Sequence, residues 1–442
     1  MKIYMKKNKK DLMKNNHGFS LIELMIAMVV GLIVLLGIVS IFTSSSSLNR
    51  TQSGLAMLQE NGRYAISRLK QDFETAGRKH CATLTMPEEF ASKWNQGFEM
   101  SSWRVSNNVT FTNGFPASNQ IALDGSADVD QLPDPNDISA FNSYPLDPSF
   151  FIRGFECENG TCLPALNTPG ADTSFTLPAI GTSANNRADD TDIITIRYLT
   201  GGSRVVSIGG NTLTLEETSP FTTGDAIIAD CLTSYVTQAN WTGNTVNALS
   251  NIPGFNLNGD TRVFNLDEEL INVTYFVGID ADPDKAGRMI SSLYRVENGN
   301  VQQLVEGVER FDIFYLAQTQ TGHVLRMTAD QVQNVIGGGD TDNDDAVEGI
   351  MGCIKPPAVD YIPDVQLANG AGCLWRSIYA IEFHLLLNTV NNSATSETET
   401  YIYTPDSLNR VTPPATLPSG LPRERMYRRE FTAIVPVRSY TL

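Results

Sequence analysis

Between Phe19 and Phe42 the chain runs for 24 residues with a single charged side chain, Glu23. As a helix, such a run is roughly 36 Å long at about 1.5 Å per residue, enough to cross a hydrocarbon core of about 30 Å. Residues 1–18 precede it with six lysines and one aspartate. The positive-inside rule therefore keeps residues 1–18 in the cytoplasm and sends the remainder across the membrane. An ordinary secretory signal fits badly, because the apolar stretch is too long and Thr43 to Ser47 offers no Ala-x-Ala site. Beyond the basic end the chain is acidic. The 32 basic and 49 acidic side chains, less the six and one of residues 1–18, leave 26 against 48. That balance argues against nucleic acid as a partner. With 41% apolar and 18% charged residues, 442 residues can bury a sizeable core.

The junction Gly18-Phe19-Ser20-Leu21-Ile22-Glu23-Leu24 falls where the basic segment meets the apolar run. A glycine lets backbone approach a peptidase site closely, and the lysines hold that site at the cytoplasmic surface. The block resembles the class III leader junction of type IV pilins and type II secretion pseudopilins. The resemblance implies cleavage between Gly18 and Phe19 by prepilin peptidase, followed by N-methylation of Phe19. A lone carboxylate inside the apolar run costs a few kcal/mol. Glu23 is therefore expected to need a partner in assembly, the freed α-amino group of a neighbouring subunit's Phe19.

The helical pattern continues past the apolar run. Leu55, Leu58, Gly62, Ala65, Ile66, Leu69, Phe73 and Ala76 recur at three- and four-residue steps, and Gly77 follows as a C-cap. A helix from about Ser20 to Ala76 would be roughly 85 Å long. Gly31, Gly37, Gly54 and the run Ser44–Ser47 mark places where it could bend or melt.

Residues 78–188 are rich in Asn, Ser, Pro and Gly, and read as a loop-rich insertion with short strands. Residues 189–442 read as β-structure. Strands are expected at 192–199, 225–231, 270–278, 308–316, 378–387 and 429–439. Hairpins are expected over 203–217, about Gly209-Gly210-Asn211, and within 291–307. Together with the leader resemblance, these readings lead us to expect an α+β, pilin-like fold, with a long N-terminal helix packed on a large, mainly antiparallel β domain in the periplasm. The organisation is a cleaved leader (1–18), a transmembrane half-helix (19–42), an amphipathic half-helix (43–77), the insertion (78–188) and a β-rich globular domain (189–442).

Six cysteines, Cys81, Cys157, Cys162, Cys231, Cys353 and Cys373, all lie on the exported side, where disulfides are favoured. Fifteen full pairings exist. Cys157 and Cys162 flank a turn-prone stretch, and Cys353 and Cys373 bracket a Pro- and Gly-rich excursion before a strand; both are expected bridges. Zinc finds no CxxC pair, and His80 beside Cys81 is weak support. Asp280-Asp282-Asp284 and Asp340-Asp342-Asp344 have the one–three–five spacing of a calcium loop. Both lack its glycine at the sixth place and its glutamate at the twelfth. They read as solvated acidic loops, and neither a metal nor a cofactor is expected.

No enzyme is expected either. The sequence has no GxSxG, HExxH, phosphate loop or GxGxxG, and only four histidines. His384 falls in an alternating strand and reads as structural. Arg423, Arg425, Arg428 and Arg429 form the one basic patch of the acidic body; DNA or a sugar acid could bind it, but pairing with acidic neighbours is the expected use.

QENGRYAISRLKQDFETAGRKHC (59–81) is similar to the helix-end signature of the PilW family of type IV minor pilins. DDTDIITIRYL (189–199), GDAIIADCLTSYV (224–236), LVEGVERFDIFYL (304–316), SIYAIEFHLLL (377–387) and YRREFTAIVPVRS (427–439) resemble that family in the same order, whereas residues 82–185 match it poorly. The resemblance implies that Cys81 pairs with Cys231. It implies a minor pilin that helps initiate or cap a type IV pilus, at or near the tip, with prepilin peptidase, other minor and major pilins and the inner membrane as partners. Such a subunit is single-pass in the inner membrane before assembly and lies on the cell surface afterwards. The chain departs from major pilins in lacking a proline in the membrane helix and in carrying 365 residues after residue 77. A tip adhesin or ligand-binding module, alone or alongside a tip adhesin partner, is the second reading. The J-type pseudopilin of type II secretion is the third, and shares fold and processing.

Overall fold

A computed structural model describes residues 20–78, 103–105, 151–166, 174–230, 234–249, 252, 261–318, 324–334, 375, 378–391, 401–405, 410–411, 421 and 425–437. The chain divides into two compact units, residues 1–53 and 54–442. Helix α1 (Leu21–Thr75) contributes to both. In the first unit its apolar side chains are exposed along the whole run, and that stretch is long and apolar enough to cross a membrane. In the second unit the expected stripe is buried at Leu58, Gly62, Ala65, Leu69 and Phe73. Neither the glycines nor the serine run interrupts α1. Gly77 ends it with φ of 71°, and its N–H donates to the Arg197 carbonyl at 2.8 Å.

The strands follow in chain order: β1 (Trp103–Val105), β2 (Ile152–Glu158), β3 (Thr161–Leu163), β4 (Ile193–Leu199), β5 (Ser203–Gly209), β6 (Thr212–Leu215), β7 (Thr223–Ala229), β8 (Ser234–Thr242), β9 (Thr245–Ala248) and β10 (Arg262–Asn265). The short helix α2 (Leu266–Glu269) leads into β11 (Leu270–Ala281), β12 (Met289–Glu297), β13 (Asn300–Glu306), β14 (Val308–Gln318) and β15 (Val324–Met327). After α3 (Ala329–Asn334) come β16 (Ile378–Asn388), β17 (Tyr401–Ile402), β18 (Arg410–Val411) and β19 (Arg428–Pro436). Every strand expected from alternation is present, with ends shifted by a few residues. Two Asn-Gly pairs, Asn159-Gly160 and Asn298-Gly299, make the two-residue turns of hairpins β2–β3 and β12–β13 with positive φ throughout. That is the backbone a type I′ turn needs.

Two antiparallel sheets form the body of the second unit. One runs β13-β12-β11-β4-β2-β3, the other β15-β14-β16-β19. One apolar core joins them to the helix: Leu58, Ala65, Leu69 and Phe73 meet Ile194, Ile196, Val273 and Tyr275 of the first sheet, and Phe311, Ile313, Ile381 and Phe383 of the second. Phe73 sits edge-on to Tyr275 (5.9 Å) and to Phe383 (5.6 Å), one ring from each sheet. Gly62 lies so close to Phe431 of β19 that a methyl group in its place would come within 2.3 Å of the ring. Strand β2 is almost wholly buried and pairs with β4 from within the stretch expected to be loop-rich.

Between β4 and β11 the chain builds a structure that alternation alone does not reveal. Strands β8-β7-β10-β5-β6-β9 pair in that order, and β9 returns to β8, so six strands close into a small barrel; β1 adds to β8 in parallel. The barrel has its own core of Val205, Leu213, Leu215, Ala226, Ile228, Ala239, Trp241, Val246 and Val263. Closure leaves no free edge on these six short strands.

Candidate functional site

The processing residues Gly18 and Phe19 lie outside the described residues. Glu23 does not: its Oε2 accepts the backbone N–H of Ser20 at 2.9 Å. Ser20 precedes the first residue of α1, so Glu23 occupies the third helical position and closes one arm of a capping box. A carboxylate there also complements the positive end of the helix dipole. Sequence reasoning gave Glu23 an intersubunit role alone, although the Ser-x-x-Glu spacing at Ser20–Glu23 carries the capping signal.

The end of α1 is fastened by a buried charge. Asp72 Oδ2 accepts from Arg295 Nε and from the Tyr275 hydroxyl, each at 2.5 Å, and Arg68 Nη2 stands 3.6 Å from Oδ1. Arg295 Nη1 also meets Glu297 at 2.5 Å. Burial works against the Arg295 charge, but Asp72 and Glu297 outweigh it and hold the guanidinium firmly protonated. Burial and the Asp72 carboxylate push the Tyr275 phenol well above its ordinary value. With Asp72 and Arg295 only 2% exposed, this pair fixes the helix's register on β11 and β12. An isolated Asp in the amphipathic pattern gave no sign of it.

The four-stranded sheet carries a second network on the face away from the helix. His384 in β16 is 3% exposed, with Nδ1 2.6 Å from Glu430 Oε1 and Nε2 2.7 Å from Glu382 Oε1. Arg326 forks onto both Glu382 oxygens at 3.0 Å. Glu430 Oε2 accepts the Thr404 backbone N–H (3.1 Å) and hydroxyl (2.7 Å). Of the basic patch, Arg428 pairs with buried Glu309 at 2.7 and 3.0 Å, and Arg429 lies over the Phe431 ring. Arg423 falls outside the described residues.

Cys157 and Cys162 are joined by a disulfide across the β2–β3 turn. Cys81, Cys231, Cys353 and Cys373 lie outside the described residues, as do His80 and Asp340, Asp342 and Asp344. In the first acidic triplet, Asp280 accepts from the Tyr294 hydroxyl, Asp282 Oδ2 pairs with Arg288 at 3.3 Å, and Asp282 Oδ1 accepts the Asp284 N–H at 2.8 Å. The loop is therefore internally bonded rather than simply solvated. Among the described residues no group of three or more His, Cys, Asp or Glu is placed to hold a metal ion.

At the barrel's base, Glu269 bridges the two connecting segments. Its oxygens accept the N–H groups of Gly202 and Asn265, each at 2.7 Å. Burial raises the Glu269 pKa, and these two amides oppose the rise.

Comparison with known proteins bears on the N-terminus. Residues 13–39 match the prokaryotic N-terminal methylation motif. No curated protein and no solved structure matches the chain. The motif spans the Gly18–Phe19 junction and Glu23, and it supports a pilin-like protein of a pilus or secretion system. A leader of this type implies processing by prepilin peptidase and assembly with other pilins, and it fits anchoring in the inner membrane.

Proposed function

We propose that this chain is a minor pilin of the type IV pilus, akin to the PilW family, acting in pilus assembly or initiation at or near the tip. The observation that carries the reading is a prepilin-type junction and apolar helix followed by a domain built of two sheets and an inserted barrel. A domain of that bulk is hard to repeat at every position of a thin filament and suits a subunit present in few copies. Cleavage after Gly18 frees the Phe19 amine, and Glu23 of a neighbour offers it a carboxylate in an apolar surround. The barrel also favours a second, compatible reading, a tip module that binds a ligand or surface, because it adds a separately cored element to the pilin body.

Deletion of the gene with quantification of surface pili and of type II secretion tests the assignment. Loss of pili with intact secretion is expected. Intact piliation with a secretion defect would move the chain to the J-type pseudopilins.

A further inference from the structure

The network around His384 is more than a fastening within one sheet. Its far end holds residues 401–405, in which Tyr401 and Tyr403 are buried against Leu386 on the face turned away from the helix. Tyr403 donates its hydroxyl to Asp312, and Thr404 gives both its N–H and its hydroxyl to Glu430. We propose that residues 401–405 form a pH-operated strap, latched to the outer face of the four-stranded sheet by the imidazolium of His384.

The number of N–H donors on the ring decides the latch. Both ring nitrogens of His384 face a carboxylate, Glu430 on one side and Glu382 on the other. Imidazolium has an N–H for each; neutral imidazole has one, so one carboxylate must then face a ring lone pair. The two carboxylates are not equally supported. Glu382 keeps the Arg326 fork in either state, whereas His384 is the only cation in contact with Glu430 among the described residues. The remaining bonds to Glu430 come from the strap itself. Whichever nitrogen keeps its hydrogen, deprotonation removes the one positive charge beside Glu430 among the described residues: an under-compensated, part-buried carboxylate gains by turning to water, and Thr404 loses both its bonds.

The other groups around the ring do not substitute for the proton. Asp312, opposite His384 in β14, is occupied by Arg310 (3.0 Å) and the Tyr403 hydroxyl. Phe314 and Tyr403 present ring faces and edges. Burial lowers the His384 pKa, but Glu430 and Glu382 outweigh it and hold the net value above that of ordinary imidazole. Both carboxylates are held below their usual range, Glu382 by Arg326 and His384, Glu430 by His384 and Thr404, each against the effect of burial. The sign follows. The latch is fully closed below the unfolded imidazole's value, and its contribution is lost as pH rises through the raised folded value.

Hydrogen exchange on the full-length protein in detergent micelles, expressed as protection factors, reads the strap directly. From about pH 6 to about pH 10, protection of 401–405 should fall by up to about tenfold per pH unit past the midpoint, the limit set by one proton. Protection of β16 should stay constant. His384→Gln, which keeps a donor but cannot take the charge, should give a strap of low protection with no pH midpoint. Glu430→Gln removes the charge on which deprotonation acts while keeping an oxygen for Thr404, so its strap should show no pH midpoint; it serves if His384→Gln does not fold. A pH-independent strap in the wild type, an unaltered profile in His384→Gln, a pH midpoint that persists in Glu430→Gln, or parallel loss of protection in β16 would each overturn the proposal.

Discussion

Asp72 and Glu23 occupy one helix and answer to different solvents. Asp72 compensates Arg295 inside the domain, so Asp72→Ala leaves a buried guanidinium short of its main partner and should cost about 3–5 kcal/mol. Tyr275→Phe removes one hydrogen bond to a charged group and should cost about 1.5–3 kcal/mol. Denaturant titration of the full chain in detergent measures both, and losses below about 1 kcal/mol would mean that the pair is solvated rather than structural. For Glu23, the expected result of Glu23→Leu is unchanged cleavage at Gly18 with less protein in sheared pili relative to the inner membrane. The capping bond to Ser20 adds a second consequence, a helix start lacking its N-terminal carboxylate. Equal incorporation of mutant and wild type would remove Glu23 from the assembly contact.

The β2–β3 hairpin and the barrel set the expectations for elements. Removing the Cys157–Cys162 bridge by a double serine substitution should cost about 2 kcal/mol, the loop entropy of so short a ring. Non-reducing peptide mapping should find that bridge, and we propose that it will also find Cys353 with Cys373 and Cys81 with Cys231; free thiols in the exported protein would refute all three. Glu269→Ala strips the acceptor from Gly202 and Asn265 and should loosen the barrel by about 1–3 kcal/mol, seen as faster exchange in β5 and β10 than in β11. The helix, the hairpins and the long strands were legible because each repeats at 3.6 or 2 residues for long enough to be seen. The barrel was not. Its strands β6, β9 and β10 are four residues each, and the ring depends on β6 meeting β9, with Thr212 opposite Asn247, a long-range pairing that no local period records. Strand β2 escaped for a different reason: buried on both faces, IRGFECE shows no alternation. The His384 residue was legible as structural, and Glu382 stands two places before it on the same strand, but Glu430 comes from β19 and could be joined to it only by register.

At the scale of the whole molecule, an acidic chain stores uncompensated carboxylates in its core. Burial, then Asp312, Glu158 and Asp330, push the Glu156 pKa up to about 7. Burial and Asp267 raise Asp225 to about 7 as well. The folded state therefore binds protons that the unfolded state releases between the ordinary carboxylate value and about pH 7, so stability falls as pH rises through that window. His384 adds to the same trend at higher pH. The thermal midpoint should therefore climb as pH is lowered from about 8 to about 5; a midpoint that falls over this range would contradict the burial of these groups. Processing as a prepilin and entry into a filament are independent of these titrations. Intact-mass and N-terminal peptide analysis of the protein recovered from sheared pili reads both events at once. The expected chain begins at N-methyl-Phe19 and lacks residues 1–18, and the unprocessed form should accumulate in cells without prepilin peptidase. A chain that keeps residues 1–18 in peptidase-positive cells, and is absent from the pili, would contradict it.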